Sequence, residues 1–429
     1  MDNYKKRKAP KRLAPPKKKL KPVVEEKPKK QLKNSPIKIT KTNRIKKSVP
    51  EKTKIRVIMG GKERIERKKI ISASVVASIL AAVLIFSLLT PTGPFEYIQT
   101  AVHSIGVGSF PNTLSGSRVI NTYHIGSSTY ILTDSHAEVF NNSGKKLFSR
   151  QHEFNSPVLD VAEQRSIIFD RGGRRAFVFN NNDVLYELSF KNDIYSATIA
   201  RNGSYAVATK SDSYTSQVEV FGKNRKSKFT WFSSDAIIND IALSNNGRRL
   251  AIATVDASSG KYKSKVAVFE YSNPNPLYVF EYENTMVYSV NCISNTYFSI
   301  VTSEGIHYVP WRRGTTRNHE DDYTLNSYKY KKNFWNISVA GNKTNNTVTL
   351  YDKKGNVKSE FDFNGAVTDI SSVSNHIFIL SDGYLYSLDD TGKEFSQKIN
   401  ASGYDRLIAI DSNTVFIVGN YGIDKIKIK

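Results

Sequence analysis

The chain has 429 residues, 39% of them hydrophobic, with a formal net charge of +24 at neutral pH. That length is enough to bury a large core, and one cysteine, Cys292, excludes an intramolecular disulfide and with it the small stapled scaffolds. The charge is concentrated: residues 1–69 hold 27 Lys and Arg against 6 Asp and Glu, and the remainder is close to neutral, which argues against a folded nucleic-acid-binding face.

From the N-terminus, residues 1–54 carry seven of the fourteen prolines, runs such as Lys17-Lys18-Lys19 and few large apolar side chains. Such a segment cannot bury enough surface to offset its ordering entropy, so residues 1–69 are expected to be a disordered, basic cytoplasmic tail. Its charge suits anionic lipid headgroups or an acidic partner. Nucleic acid is the weaker expectation, because no aromatic residue after Tyr4 interleaves the basic runs.

Ile70 to Leu89 is an uncharged run of twenty residues, IISASVVASILAAVLIFSLL. At helical rise it spans about 30 Å, the thickness of a bilayer's hydrocarbon core. Arg67, Lys68 and Lys69 abut its start and no Lys or Arg follows until Arg118. Residues 70–90 therefore read as a transmembrane helix with the N-terminus cytoplasmic and the C-terminal part outside. A cleaved signal peptide would have a shorter charged region and a shorter apolar core. Within the linker 91–109, Phe95, Ile98, Val102 and Ile105 share one helical face, which predicts a short helix at the membrane interface or under the following domain.

From residue 110 onward the chain is a succession of short runs rich in Val, Ile, Tyr, Phe and Thr, separated by Asn, Gly, Asp and Ser turns. A pattern of strand, polar turn and strand recurs, as in AEVFNNSGKKLF (137–148) and VEVFGKNRKSKF (218–229). Taking Phe140, Phe179, Phe221, Phe269, Val309, Tyr351, Leu388 and Ile426 as equivalent, the gaps are 39, 42, 48, 40, 42, 37 and 38 residues. Their mean, about 41, is the length of a four-stranded propeller blade. TIARNGSYAVAT (198–209) and ALSNNGRRLAIAT (242–254) supply the other half of a unit, with Asn-Gly at the turn. The expected fold is all-β, a propeller of about eight blades, with seven as the alternative. The last unit has three strands, and a strand near Phe110–Leu114 is expected to complete it.

The basic tail, the single apolar span, the stretch FPNTLSGS (110–117) and the repeats after it resemble a family of anchored propellers. These are uncharacterised proteins of Gram-positive, chiefly clostridial, bacteria, under a domain-of-unknown-function label. The repeats are also similar to WD40 and quinoprotein-like propellers, although the Trp-Asp dipeptide and a regular docking tryptophan are absent. The resemblance implies the propeller fold and membrane anchorage; it implies no activity.

No Walker A, dinucleotide-binding, zincin or nucleophile-elbow motif occurs, and the seven histidines show no metal-ligand spacing. No catalytic residue, cofactor or metal is therefore expected. Asn239-Asp240-Ile241-Ala242 and Asp389-Asp390 read as turns. WRRGTTRNHEDD (311–322) reads as an irregular loop, and Trp311, Arg312, Arg313 and Arg317 are its candidate binding residues, Trp and Arg being enriched at hot spots. The expected function is a membrane-anchored extracytoplasmic binding or scaffold protein of the cell envelope, its propeller recognising a protein or wall polymer. A transmembrane sensor and a polysaccharide hydrolase or lyase are the alternatives.

Overall fold

In the computed structural model the described residues are 74–86 and 92–428, apart from 164, 259, 316, 321–324, 330–335, 342–343 and 421. The expected tail, 1–69, lies outside them, as do the ends of the expected span 70–90. Its middle, residues 74–86, is a helix, α1, whose Val, Leu and Ile side chains are exposed. Among the described residues no helix is long and apolar enough to cross a membrane. A second helix, α2, runs Pro94–Ser104, with proline in its first turn, where a missing N–H costs nothing.

The rest is β-structure in eight four-stranded antiparallel sheets. They are blades I (119–151), II (157–189), III (194–233), IV (237–283), V (287–320), VI (325–364), VII (367–400) and VIII (406–427). Within each of the first seven, strands follow in chain order. Blade VIII takes three strands from the C-terminus and its fourth, Asn112–Thr113, from the N-terminal side, pairing Asn112 with Ile423 and Thr113 with Gly422. The expected completing strand is therefore present, and the described residues form eight blades, not seven.

Among the described residues no sheet closes on itself. The ring closes by packing, through eight buried apolar clusters, one for each pair of successive blades. Tyr130 and Val139 meet Ile168 and Phe179 between blades I and II. Tyr308 meets Tyr351, ring centroids 5.5 Å apart, between V and VI. The last cluster joins blade VIII to blade I, with Ile408 and Phe416 against Val119, Ile131 and Phe140. All eight residues that carry the sequence repeat lie on the third strand of their blade, each at its last or next-to-last position. Arrangement and connectivity are those of a β-propeller.

Seven of the eight first strands carry a β-bulge; in blades III, IV and VII it falls just before Ser196, Asp240 and Asp369. A bulge rotates the next side chain out of the ladder. First strands of successive blades contact one another, so these polar side chains are turned toward the neighbouring blade at the ring's centre.

Phe416 is fully buried and packs at 4.7 Å on Phe110, just before the completing strand. Phe416→Ala is expected to lower stability by about 3–5 kcal/mol in denaturant unfolding, through the lost transfer energy and the cavity left behind.

Candidate functional site

Three places gather polar or aromatic side chains: the ring's centre, the 311–322 segment and a groove on blade III.

At the centre, carboxylates link neighbouring blades. Asp160 of blade II accepts from Thr198 Oγ1 at 2.7 Å and from the Ile199 N–H at 2.8 Å, both of blade III. Asp240 of blade IV accepts from Ser196 Oγ of blade III at 2.8 Å and from the Val290 N–H of blade V at 2.9 Å. Asp369 of blade VII accepts from the Leu407 N–H of blade VIII at 2.8 Å. Asn239–Ala242 thus lies inside the strand Ile237–Leu243 and is not a turn; the crowded inner strand tolerates Asp240 because the bulge gives its carboxylate these donors. The Asp389 reading holds: its Oδ1 accepts from the Thr391 and Lys393 N–H groups in a tight turn.

Burial in this narrow space pushes the Asp240 carboxyl up to about 6, against the opposing effect of its hydrogen bonds and of Arg171. Burial also raises the Tyr123 phenol, helped by the charges of Asp160 and Asp240, so Tyr123 looks into the same space. The carboxylates here are occupied by backbone and hydroxyl donors. Among the described residues no three His, Cys, Asp or Glu gather as a metal site.

The 311–322 segment is not one loop. Residues 317–320 form the fourth strand of blade V, paired with Gly305–Tyr308. Trp311 is fully buried, packs on Phe298 at 4.6 Å and donates its indole N–H to the Ser294 carbonyl at 3.0 Å. It is a core residue, packed into the apolar cluster between blades IV and V, and presents no surface to a partner. Arg312 and Arg313 are exposed. The side chain of Arg317 lies outside the described residues, so the structure does not bring the four together. Cys292 is buried, its thiol donating to Asn245 Oδ1 at 3.4 Å, as a small core residue would.

The groove has a volume of about 310 Å³ and is built on blade III between the turn 211–215 and the link 190–193. Period-two alternation along the strand Ser227–Ser233 turns Phe229 and Trp231 toward the core and leaves Phe232 outside. Phe232 and Tyr214 are 44% and 49% exposed and lie 4.8 Å apart, ring to ring. Beside them Asp212 accepts from Lys191 Nζ at 2.6 Å and from Asn192 Nδ2 at 3.1 Å. Those bonds hold its carboxyl below the ordinary range. Gln217 and Ser211 complete the polar wall. Two exposed aromatic faces beside an amide, a carboxylate and an ammonium can bind a ligand with both an apolar face and a polar rim. Sequence reading passed over this place because SDSYTSQ (211–217) looks like any polar turn. The usable signal was the aromatic pair Trp231-Phe232, where alternation forces one ring outward.

Fold and sites define a propeller with an aromatic-walled groove on its third blade. The chain belongs to the family of unknown function DUF5711, whose model matches residues 110–428. No curated protein shows significant similarity in sequence. Among solved structures the chain is similar to BamB from Moraxella catarrhalis, at 11% identity and a TM-score of 0.47, covering 74% of this chain and 100% of that one. It is also similar to a eukaryotic initiation factor, at 14% identity and a TM-score of 0.49, covering 74% and 85%.

A carboxyl raised by burial favours the folded state while protonated, and that advantage is lost as pH rises from its ordinary value through about 6. Asp240→Asn removes the charge and keeps an acceptor for Val290. Relative to the parent, its stability is expected to rise between pH 4 and pH 7 by on the order of 2 kcal/mol, read as the difference in melting temperature at each pH.

Proposed function

We propose that the protein is a membrane-anchored binding scaffold of the cell envelope: residues 70–90 cross the bilayer, residues 1–69 lie in the cytoplasm, and the propeller stands outside and recognises a ligand in the blade III groove. The observation that carries the reading is the exposed Tyr214–Phe232 pair beside Asp212, Asn192 and Gln217. A sugar ring has an apolar C–H face and a rim of hydroxyls, which such a surface complements on both counts, so a wall polysaccharide is the preferred ligand class. Binding is preferred to catalysis because the central carboxylates are tied to backbone amides across the blade interfaces. The anchor is supported by the twenty uncharged residues and the one-sided basic flank.

With full-length protein and soluble peptidoglycan fragments, Tyr214→Ala and Phe232→Ala are each expected to weaken binding about tenfold with the melting temperature unchanged. Binding equal to the parent's in both variants would remove the groove. Protease added to whole cells is expected to digest residues 110–429; protection there, with loss only after permeabilisation, would place the propeller inside.

A further inference from the structure

Helix α2 has two unlike faces. One is strapped to the propeller. Glu96 accepts from Arg165 Nε at 2.8 Å and from Nη2 at 2.7 Å, a fork in which both side chains are largely buried. Lys145 Nζ donates to the carbonyls of His103 at 3.0 Å and Ile105 at 2.8 Å, capping the helix's C-terminal end. Asn141 Nδ2 donates to the Ser104 and Gly106 carbonyls, each at 3.0 Å. The other face is an apolar stripe: Phe95, Ile98, Val102 and Ile105 are 80%, 53%, 62% and 71% exposed. The helix is held by its polar face, so the stripe is not needed for docking and stands in water at a cost unless something covers it.

Two observations say what covers it. The first is continuity. The stripe follows the uncharged run 70–89 in sequence, and Phe86 at the end of α1 meets Tyr97 of α2 edge-on at 5.6 Å. The second is charge. Turns joining first to second and third to fourth strands share one end of the ring, and Arg165 and Lys145, which hold α2, lie in such turns. On that same end the exposed turns carry Arg225 and Lys226, Arg312 and Arg313, Lys353 and Lys354. Acids in these turns are fewer than the cations: Asp352 accepts from Asn356 Nδ2 at 2.6 Å and from the Lys354 N–H at 2.8 Å, Glu163 pairs with Arg201, and Asp183, Asp390 and Glu394 are the others. An apolar helical stripe on an end of the ring whose turns carry an excess of cations is the signature of an element lying in the interface of an anionic bilayer.

We propose that this end of the propeller rests on an anionic lipid surface, the α2 stripe sunk among the headgroups and the turn cations on lipid phosphates. The inference rests on the anchor reading above and deepens it: the propeller is seated on the membrane in one orientation. The groove, formed by a link and a second-to-third-strand turn, lies at the opposite end and points away from the lipid.

The test uses the full chain in phosphatidylglycerol-containing vesicles, with buried Cys292 replaced by Ala and a single fluorophore placed through Val102→Cys or, at the groove, Ser213→Cys. Only the carbonate-resistant fraction is read. The Val102 label is expected to be quenched severalfold more by a lipid-borne quencher than the Ser213 label, with the reverse order for aqueous iodide. Arg312→Glu, Arg313→Glu and replacement of phosphatidylglycerol by phosphatidylcholine are expected to lower the lipid quenching, by up to about fivefold per reversed charge. Equal iodide quenching at both positions would overturn the proposal while leaving the anchor intact. A disulfide between two copies of the Val102→Cys chain, with shielding from both quenchers, would overturn it in favour of self-association. Absence of any carbonate-resistant protein would remove the anchor and this proposal together.

Discussion

Everything in the folded part depends on sheet-against-sheet packing carried all the way round a ring. A four-stranded sheet has two faces and, alone, would expose one apolar side; here each sheet buries both, because a neighbour lies on either side. Eight apolar clusters do this, and the one between blades VIII and I is equivalent to the others in kind, with Phe140 and Phe416 fully buried. The two-residue pairing of Asn112 and Thr113 with Ile423 and Gly422 is small in itself. Its effect is to hold the first blade's approach against the last, so that the final interface forms from chain segments some three hundred residues apart.

The ring sets a problem at its centre. First strands crowd together there, and a wholly apolar lining would leave their outward polar groups without partners, while unpaired carboxylates would be too costly to bury. The chain answers with a short polar residue, set by a bulge at Asp240 and Asp369 and in regular strand at Asp160, whose oxygen takes a donor from the next blade. Asp160, Asp240 and Asp369 each do so. A carboxylate with its acceptor sites filled by amides is a tie between blades. The raised Asp240 carboxyl is then a consequence of confinement, and by itself no sign of acid–base chemistry.

Much of the fold was legible because repetition averages over local ambiguity. No single run from 137 to 148 distinguishes a propeller from a sandwich, but eight such runs at a nearly constant period do. The missing fourth strand of the last unit was legible for the same reason. The sites were not. Trp311 and its arginines attracted attention as residue types, yet burial depends on which way a strand end points, and the chain folds Trp311 inward against Phe298. Asp240 was hidden by the opposite error: Asn-Asp suggests a turn, and only the recurrence of Asn121, Ser196, Asp240, Ser289, Ser327 and Asp369 directly after the bulge in six blades shows that the position belongs to the inner strand. The groove is harder still, since its walls come from a link, a turn and a fourth strand that acquire meaning only once the blade is assembled.

The way the ring is completed also decides which end of it the N-terminal helix occupies. A fourth strand in this meander runs from the end bearing the third-to-fourth turns toward the end bearing the links between blades. The N-terminal segment supplies that strand for blade VIII, so whatever precedes it must arrive at the turn end. Helix α2 does arrive there, beside Asn141, Lys145 and Arg165. Had the C-terminus supplied all four strands, the N-terminal segment would have entered at the link end, beside the groove. Completion from the N-terminal side therefore separates the helix from the groove by the full height of the ring, and it does so through strand parity alone, before any side chain on either surface is chosen.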